Sequence, residues 1–318
     1  MHLYDLPPEL YFLILSFLTP KEQALLACSC AGGHVCIARL LLDKCADPDA
    51  QVGRFGTALQ AASLYGREKL VQLLLERNAR VNLHDRRFAA AIQLASASGN
   101  ETIVQLLADK DADVDAQGGG FATALQASAA NGYGEIIRLL LHKGADINAH
   151  GRGFGTAQQA AAAQGHEHIV RILLERHPDL DAQDEKFATA LQLASTKGHA
   201  RIVALLLHHG ANVNAQNRRF PTALQLASLY GHRGIVTLLI NKKADIHAHG
   251  GGYATALQLA SLHGHKSIVK YLIDKGADVN ARGGGHPTSL QAASANGQEE
   301  IQHFFWDQLM GTKALSTF

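Results

Sequence analysis

The stretch Thr123-Ala124-Leu125-Gln126 opens a unit that recurs along the chain at a fixed interval of 33 residues. A glycine that follows each opening keeps the same register. The opening positions are Thr57, Ala90, Thr123, Thr156, Thr189, Thr222, Thr255 and Thr288, and the glycines are Gly66, Gly99, Gly132, Gly165, Gly198, Gly231, Gly264 and Gly297. Constant spacing without insertions indicates one structural unit, stacked repeatedly, that buries its apolar faces on its neighbours.

The composition is that of a folded chain, with 47% hydrophobic and 18% charged residues over 318 positions. Because a repeat stack grows one continuous core, we expect a single domain rather than two. The formal net charge of +1 gives no global field that would attract nucleic acid or an anionic membrane. We therefore expect protein partners, with no direct contact to nucleic acid or membrane.

The longest apolar run, from Leu10 to Leu18, follows Asp5 and Glu9 without any Lys or Arg. No small-residue cleavage site comes after it, so the run does not fit a signal peptide. We therefore expect the protein in the cytoplasm, the nucleus or both. We also expect it to be a monomer.

The four cysteines lie close together near the N-terminus, with His34 among them: Cys28, Cys30, Cys36 and Cys45. The repeat register places them on different faces of a helical pair, and their spacing lacks two Cys-x2-Cys pairs. We interpret them as reduced thiols rather than as a metal site. No nucleophile, acid–base pair or ligand cluster stands apart from the repeat pattern, so the sequence predicts no catalytic residue and no cofactor.

One unit shows how the pattern is expected to fold. Thr123 can cap a first helix of small residues, and Gly132 ends it. A second, largely apolar helix begins after Glu135, and Gly144 supplies the left-handed position at its end. The glycine-rich stretch that follows reaches Phe154, just before the next helix, so the order is helix, turn, helix and extended hairpin.

This unit resembles the ankyrin repeat in its exit Gly144-Ala145-Asp146-Ile147-Asn148-Ala149, which recurs at Gly276-Ala277-Asp278-Val279-Asn280-Ala281. The resemblance covers residues 24–306. It implies an all-α solenoid of about nine helix-turn-helix units with short β-hairpin-like loops, and a non-catalytic function in protein binding. We assign the repeats to residues 24–310, with degenerate first and last units, and a frayed tail to residues 311–318.

The opening departs from the ankyrin pattern because a glutamine replaces the usual histidine. The column is Gln60, Gln93, Gln126, Gln159, Gln192, Gln225, Gln258 and Gln291. An amide both donates and accepts hydrogen bonds, so we expect these side chains to tie adjacent turns together.

A second departure is a ring two residues before each opening: Phe55, Phe88, Phe121, Phe154, Phe187, Phe220, Tyr253 and His286. Either each ring packs on the neighbouring hairpin and holds the stack together, or the column is an exposed strip that binds a partner. Basic neighbours such as Arg87 and Arg218 favour an acidic partner in the second case.

The variable pair before the turn glycine is another candidate binding surface. It reads Leu64-Tyr65 in one copy and Leu229-Tyr230 in another, whereas several central copies carry small or polar residues. We predict that Tyr65 and Tyr230 anchor a partner, together with the ring column at Phe121, Phe154, Phe187, Phe220 and Tyr253.

The N-terminal segment, residues 1–23, carries Leu6-Pro7-Pro8-Glu9-Leu10 followed by Ile14 and Leu18. This spacing resembles the opening of an F-box, which implies that Leu6, Pro7, Leu10, Ile14 and Leu18 contact a Skp-type adaptor of a cullin-RING ubiquitin ligase. The third F-box helix is missing because the repeat register begins by Gly33. The alternative is a helix that caps the first repeat.

Two functions therefore remain open. The chain is either a substrate receptor that recruits a ubiquitin ligase through the F-box-like segment, or a regulatory scaffold such as a transcription coregulator or inhibitor that acts by occupying its partner.

Overall fold

The computed structural model describes residues 22–51, 56–84, 89–118, 122–151, 155–183, 188–249, 254–282 and 288–315. The backbone in these ranges is helical, with short turns between the helices, and it divides into two units, residues 1–157 and 158–318. Each unit is a series of antiparallel helix pairs. Between two of the repeats, where the sequence predicts a hairpin, an antiparallel bridge pairs Gly151 with Gly155.

The first unit contains eight described helices. They are α1 (Glu22–Gly32), α2 (Val35–Asp43), α3 (Ala58–Leu64), α4 (Glu68–Glu76), α5 (Ala91–Ser98), α6 (Glu101–Ala108), α7 (Ala124–Asn131) and α8 (Gly134–His142). The first helices of successive pairs (α1, α3, α5 and α7) pack on one another in order, and so do the second helices. This sequential packing of neighbours confirms the predicted helical solenoid.

The second unit repeats the arrangement with ten described helices. They are α9 (Ala157–Gln164), α10 (Glu167–Leu174), α11 (Ala190–Lys197), α12 (Ala200–His208), α13 (Ala223–Leu229), α14 (Arg233–Asn241), α15 (Ala256–Leu262), α16 (Lys266–Asp274), α17 (Ser289–Ala295) and α18 (Glu299–Leu315). From α11 onward, each first helix packs on the first helix of the next pair.

The first helices are short, rich in alanine and almost wholly buried, and a reciprocal capping box starts most of them. In α11, Thr189 Oγ1 accepts the backbone N–H of Gln192 at 3.2 Å, and Gln192 Oε1 accepts the backbone N–H of Thr189 at 2.7 Å. Where Ala90 replaces the threonine, only the second bond is present, from the Ala90 N–H to Gln93 Oε1 at 2.6 Å. Small residues such as Ala194, with 0% exposure, let neighbouring helices approach closely.

The same glutamine also ties each repeat to the next, as the sequence predicts. Gln192 Nε2 donates to the carbonyls of Ala215 at 3.0 Å and Pro221 at 2.8 Å, both in the exit that leads from its own repeat into the next opening at Thr222. Gln60 repeats this geometry with Leu83 at 2.8 Å and Ala89 at 2.9 Å. Together with the capping bond, the side chain is fully satisfied although it is buried.

The second helices end in a left-handed residue at one register position. Gly144 and Gly276 occupy it with φ values of 88° and 91°. Other copies place Cys45, Asn78, Asp111, His177 and Lys243 there with φ between 50° and 64°. A residue with a Cβ is disfavoured in this region, so the fold imposes this conformation on side chains that do not prefer it.

Two boundaries differ from the repeat register. Helix α1 begins at Glu22, so it already includes Ala24, which holds the register position of the capping threonines. Alanine has no side-chain oxygen that could cap a helix at this position. Helix α18 continues past Gly311 to Leu315, and the bounds of the repeats and of the frayed tail stay predictions. A glycine inside a helix costs only about 1 kcal/mol relative to alanine, and no proline interrupts this segment.

One core position breaks the pattern. The third residue of the opening is leucine or isoleucine in the copies at Leu59, Ile92, Leu125, Leu191, Leu224 and Leu257, each 1% exposed. In α9 it is Gln158, also 1% exposed, and neither Nε2 nor Oε1 of its side chain has a hydrogen-bond partner among the described residues. A buried amide without partners destabilises the fold.

Replacing Gln158 with leucine should therefore raise the free energy of unfolding by about 1 to 3 kcal/mol, because an unsatisfied amide is exchanged for an apolar side chain of similar size. The adjacent Gln159 is a matched control, since its Nε2 donates to Ala182 O at 2.7 Å and Ala188 O at 2.9 Å. Gln159→Leu should destabilise the protein. Urea unfolding followed by circular dichroism measures both, and a shift of the two midpoints in the same direction would contradict this account.

Candidate protein-binding surface

Two of the turns between the first and second helix of a pair expose a large hydrophobic side chain. Tyr65 follows α3 with 45% of its surface exposed, and Tyr230 follows α13 with 52% exposed. Leu64, beside Tyr65, is 38% exposed. The helices before these residues are otherwise mostly buried, so the two tyrosines are prominent apolar groups on the surfaces of their respective units.

The residue after each turn glycine makes a contact that the sequence did not reveal. His232 Nε2 lies 3.1 Å from the carbonyl oxygen of Thr196, and His265 Nε2 lies 3.0 Å from that of Leu229. Each carbonyl belongs to the end of the first helix in the preceding repeat. The imidazole N–H thus satisfies an acceptor that the helix leaves open.

Other residues fill the same role in the first unit. Arg67 Nε donates to Ala31 O at 3.3 Å, and Asn100 Nδ2 reaches Ser63 O at 3.5 Å. The recurrence of histidine in this column was visible in the sequence, but the backward direction of its bond was not. The four members with this bond hold the turns in register, which is a structural role.

The predicted site residues fall into three groups. Tyr65 and Tyr230 are exposed, one in each unit. Phe220 is half-buried in a tight turn, where Asn217 Oδ1 accepts the N–H groups of Arg219 at 2.8 Å and Phe220 at 2.9 Å. Outside the described residues lie Phe121, Phe154, Phe187 and Tyr253 of the ring column and Leu6, Pro7, Leu10, Ile14 and Leu18 of the F-box-like segment. Their binding roles stay predictions.

Ion pairs link successive second helices on their outer surface. Arg77 lies 2.8 Å from Asp43, Lys143 lies 2.7 Å from Asp109, and the hydrogen bond from Lys143 lowers the pKa of the Asp109 carboxyl. A further hydrogen bond from Gln105 acts in the same direction. Such exposed pairs contribute little to stability, but they balance much of the charge on this surface.

The cysteines do not assemble a site in the described part of the chain. Cys30 is buried, and burial raises the pKa of its thiol to about 12, whereas Cys28, Cys36 and Cys45 are exposed free thiols. Among the described residues, no three His, Cys, Asp or Glu side chains are grouped so that they could hold a metal ion. None of the described helices is long and apolar enough to cross a membrane.

Stacked helix pairs, with variable side chains at the turns and bonds from each repeat to the next, define the class of helical repeat proteins. The family model for ankyrin repeats matches residues 10–85, 85–151, 149–217 and 224–307. The chain therefore belongs to the ankyrin-repeat family, whose repeats serve as scaffolds for protein–protein interaction. The first match includes Leu10, Ile14 and Leu18 of the F-box-like segment. No curated protein matches the chain.

The backward bond from the turn can be tested at two neighbouring histidines. His265→Ala should lower the free energy of unfolding by about 1 kcal/mol, because the Leu229 carbonyl loses its partner. The matched control is His263→Ala, at an exposed side chain two positions earlier, which should change stability by less than about 0.5 kcal/mol. Equal losses in urea unfolding would show that the bond contributes nothing specific.

Proposed function

We propose that this chain is a non-catalytic protein-binding scaffold that contacts its partners through the turn edge of the repeats. The observation that carries the proposal is the exposure of Tyr65 and Tyr230, at 45% and 52%, on turns whose preceding helices are otherwise mostly buried. Tyrosine is enriched at the energetic centres of interfaces because its ring buries a large apolar area while its hydroxyl bonds polar groups. Both side chains stand where a partner can reach them without disturbing the repeat core.

The proposal can be tested by affinity purification and mass spectrometry of the full chain from its own cells. Tyr65→Ala together with Tyr230→Ala should remove at least one partner, because interface anchors of this kind typically contribute 2 kcal/mol or more to binding. The control is Phe304→Ala, at a half-buried ring in α18, away from the turns before the second helices. Recovery of the same partners in the same amounts by the double variant would reject the turn edge as the binding surface.

A more specific role as a substrate receptor is supported by the N-terminal spacing of Leu6, Pro7, Leu10, Ile14 and Leu18. Helix α1 begins at Glu22, directly after this segment in the chain. In this role the N-terminal segment would recruit a Skp-type adaptor, and the repeats would hold the substrate in the cytoplasm or nucleus.

The adaptor can be tested directly with purified components. The wild-type chain should bind a Skp-type adaptor in size-exclusion chromatography, and Leu10→Asp with Ile14→Asp should abolish the complex because an unpaired charge would be buried in the contact. The helical circular dichroism signal of the repeats should remain unchanged. If the wild-type chain forms no complex, the ligase role is rejected, and the alternative of a coregulator or inhibitor that acts by occupying its partner stands.

A further inference from the structure

The turn edge of the second unit carries a strip of aromatic rings whose positions are fixed by the repeat stack. The Tyr230 ring stacks on His232, with centroids 6.5 Å apart and an interplanar angle of 25°. His263 stacks on His265 in the same way, at 6.3 Å and 19°. Since His232 and His265 are bound to carbonyls of the preceding turns, the rings that rest on them are held in place before any partner arrives.

Three successive turns of the second unit, which include these two, carry basic residues and no acidic ones. Residues 196–204, 229–237 and 262–270 contain Lys197, Arg201, Arg233, Lys266 and Lys270 but neither Asp nor Glu. We call the surface formed by the following residues the basic turn strip: Lys197, Arg201, Tyr230, Arg233, His263 and Lys266.

Acidic residues occupy the corresponding places in the other turns of the chain except the first, residues 31–39. The turns of the first unit carry Glu68, Glu101 and Glu135, and Glu167 and Glu299 stand in the turns immediately before and after the strip. The loss of the acidic residue in three consecutive repeats therefore sets this part of the turn edge apart.

The cations of the strip remain available to an incoming anion. The Arg233 guanidinium lies 3.6 Å from the centroid of the Tyr271 ring and donates to the Thr237 hydroxyl, and neither of these partners is an acid. Arg201 is 3.8 Å from Glu167 and its side chain is 88% exposed. Lys266 and Glu300 form a similarly exposed pair at 3.1 Å. Exposed pairs of this kind are weak, so a partner carboxylate can replace them.

We infer that the basic turn strip binds an acidic segment of a partner protein, with Tyr230 receiving an aromatic or aliphatic side chain of that segment. The inference rests on the proposed function and specifies the chemistry of the partner. Charge complementarity selects a carboxylate-rich chain, and the exposed tyrosine adds an apolar anchor. A nucleic acid fits less well, because the strip presents only a few cations on a chain with a net charge of +1.

The test is a selection of random short peptides, displayed on phage, against the full-length purified chain. Enriched peptides should be rich in Asp and Glu around an aromatic or aliphatic residue. Fluorescence polarisation of a labelled enriched peptide should show a loss of affinity of about tenfold or more for Tyr230→Ala and for Lys197→Glu with Arg233→Glu. Circular dichroism melts of each variant establish that it is folded.

The first unit supplies the matched control, because Tyr65 is similarly exposed but stands next to Glu68. Lys69→Glu, which reverses a charge in that turn and leaves Tyr65 in place, should leave the affinity of the peptide unchanged. Three results would each overturn the inference. The enriched peptides could lack an acidic bias, or the strip variants could bind the peptide as well as the wild type does. The third result is tighter binding of single-stranded DNA that the same strip variants abolish. Any of these three results would leave the scaffold proposal intact. That proposal is tested separately, by whether the chain with both Tyr65→Ala and Tyr230→Ala loses its cellular partners.

Discussion

The stack depends on a buried glutamine side chain that performs two tasks at once. In the Gln192 copy, Oε1 accepts the N–H that starts its own helix, while Nε2 donates to carbonyls in the exit that leads into the next repeat. A buried amide is tolerated only when its hydrogen-bonding groups are satisfied, so the position of every exit is restricted by the helix before it. The short first helices have little intrinsic stability. This one residue both caps the start of its helix and fixes the exit segment that leads into the next repeat.

The same constraint explains why the repeat register contains no insertions from the Thr57 opening onward. An added residue between a glutamine and its acceptors, 23 and 29 residues later in the Gln192 copy, would move both carbonyls and leave the amide unsatisfied. The turn histidines impose a second restriction in the opposite direction, from His232 to Thr196 and from His265 to Leu229. With the turn and the exit of each repeat both fixed, sequence variation is left to the exposed positions between them.

Much of the fold could be predicted from the sequence because the same residue types recur at the same register positions in many repeats. The threonine caps, the turn glycines, the apolar second helices and the glutamine tie all follow from residue types at fixed register. The backward bond from His232 could not be predicted, since a recurring histidine does not show which carbonyl it reaches. The ends of the stack, where α1 begins at Glu22 and α18 ends at Leu315, are harder to place from sequence because terminal units depart from the register on which the assignment rests. At the surface, the sequence indicated Tyr65 and Tyr230 by their size, but their exposed fractions required the three-dimensional packing.

The opposite directions of the two ties make the two ends of any shortened array chemically unequal. A cut that removes the exit of a repeat strips the Ala254 carbonyl from a glutamine such as Gln225, whose side chain is 0% exposed in the intact stack. A cut that removes earlier repeats frees a histidine such as His232, which is already half-exposed and can exchange its carbonyl for water. Gln291 illustrates the first situation, because no further repeat exit follows it in the described chain and its side chain lies exposed, bonded to the Thr288 hydroxyl at 3.1 Å. The array thus has a polarity, and we expect fraying to begin more readily at the trailing side of the stack than at the leading one.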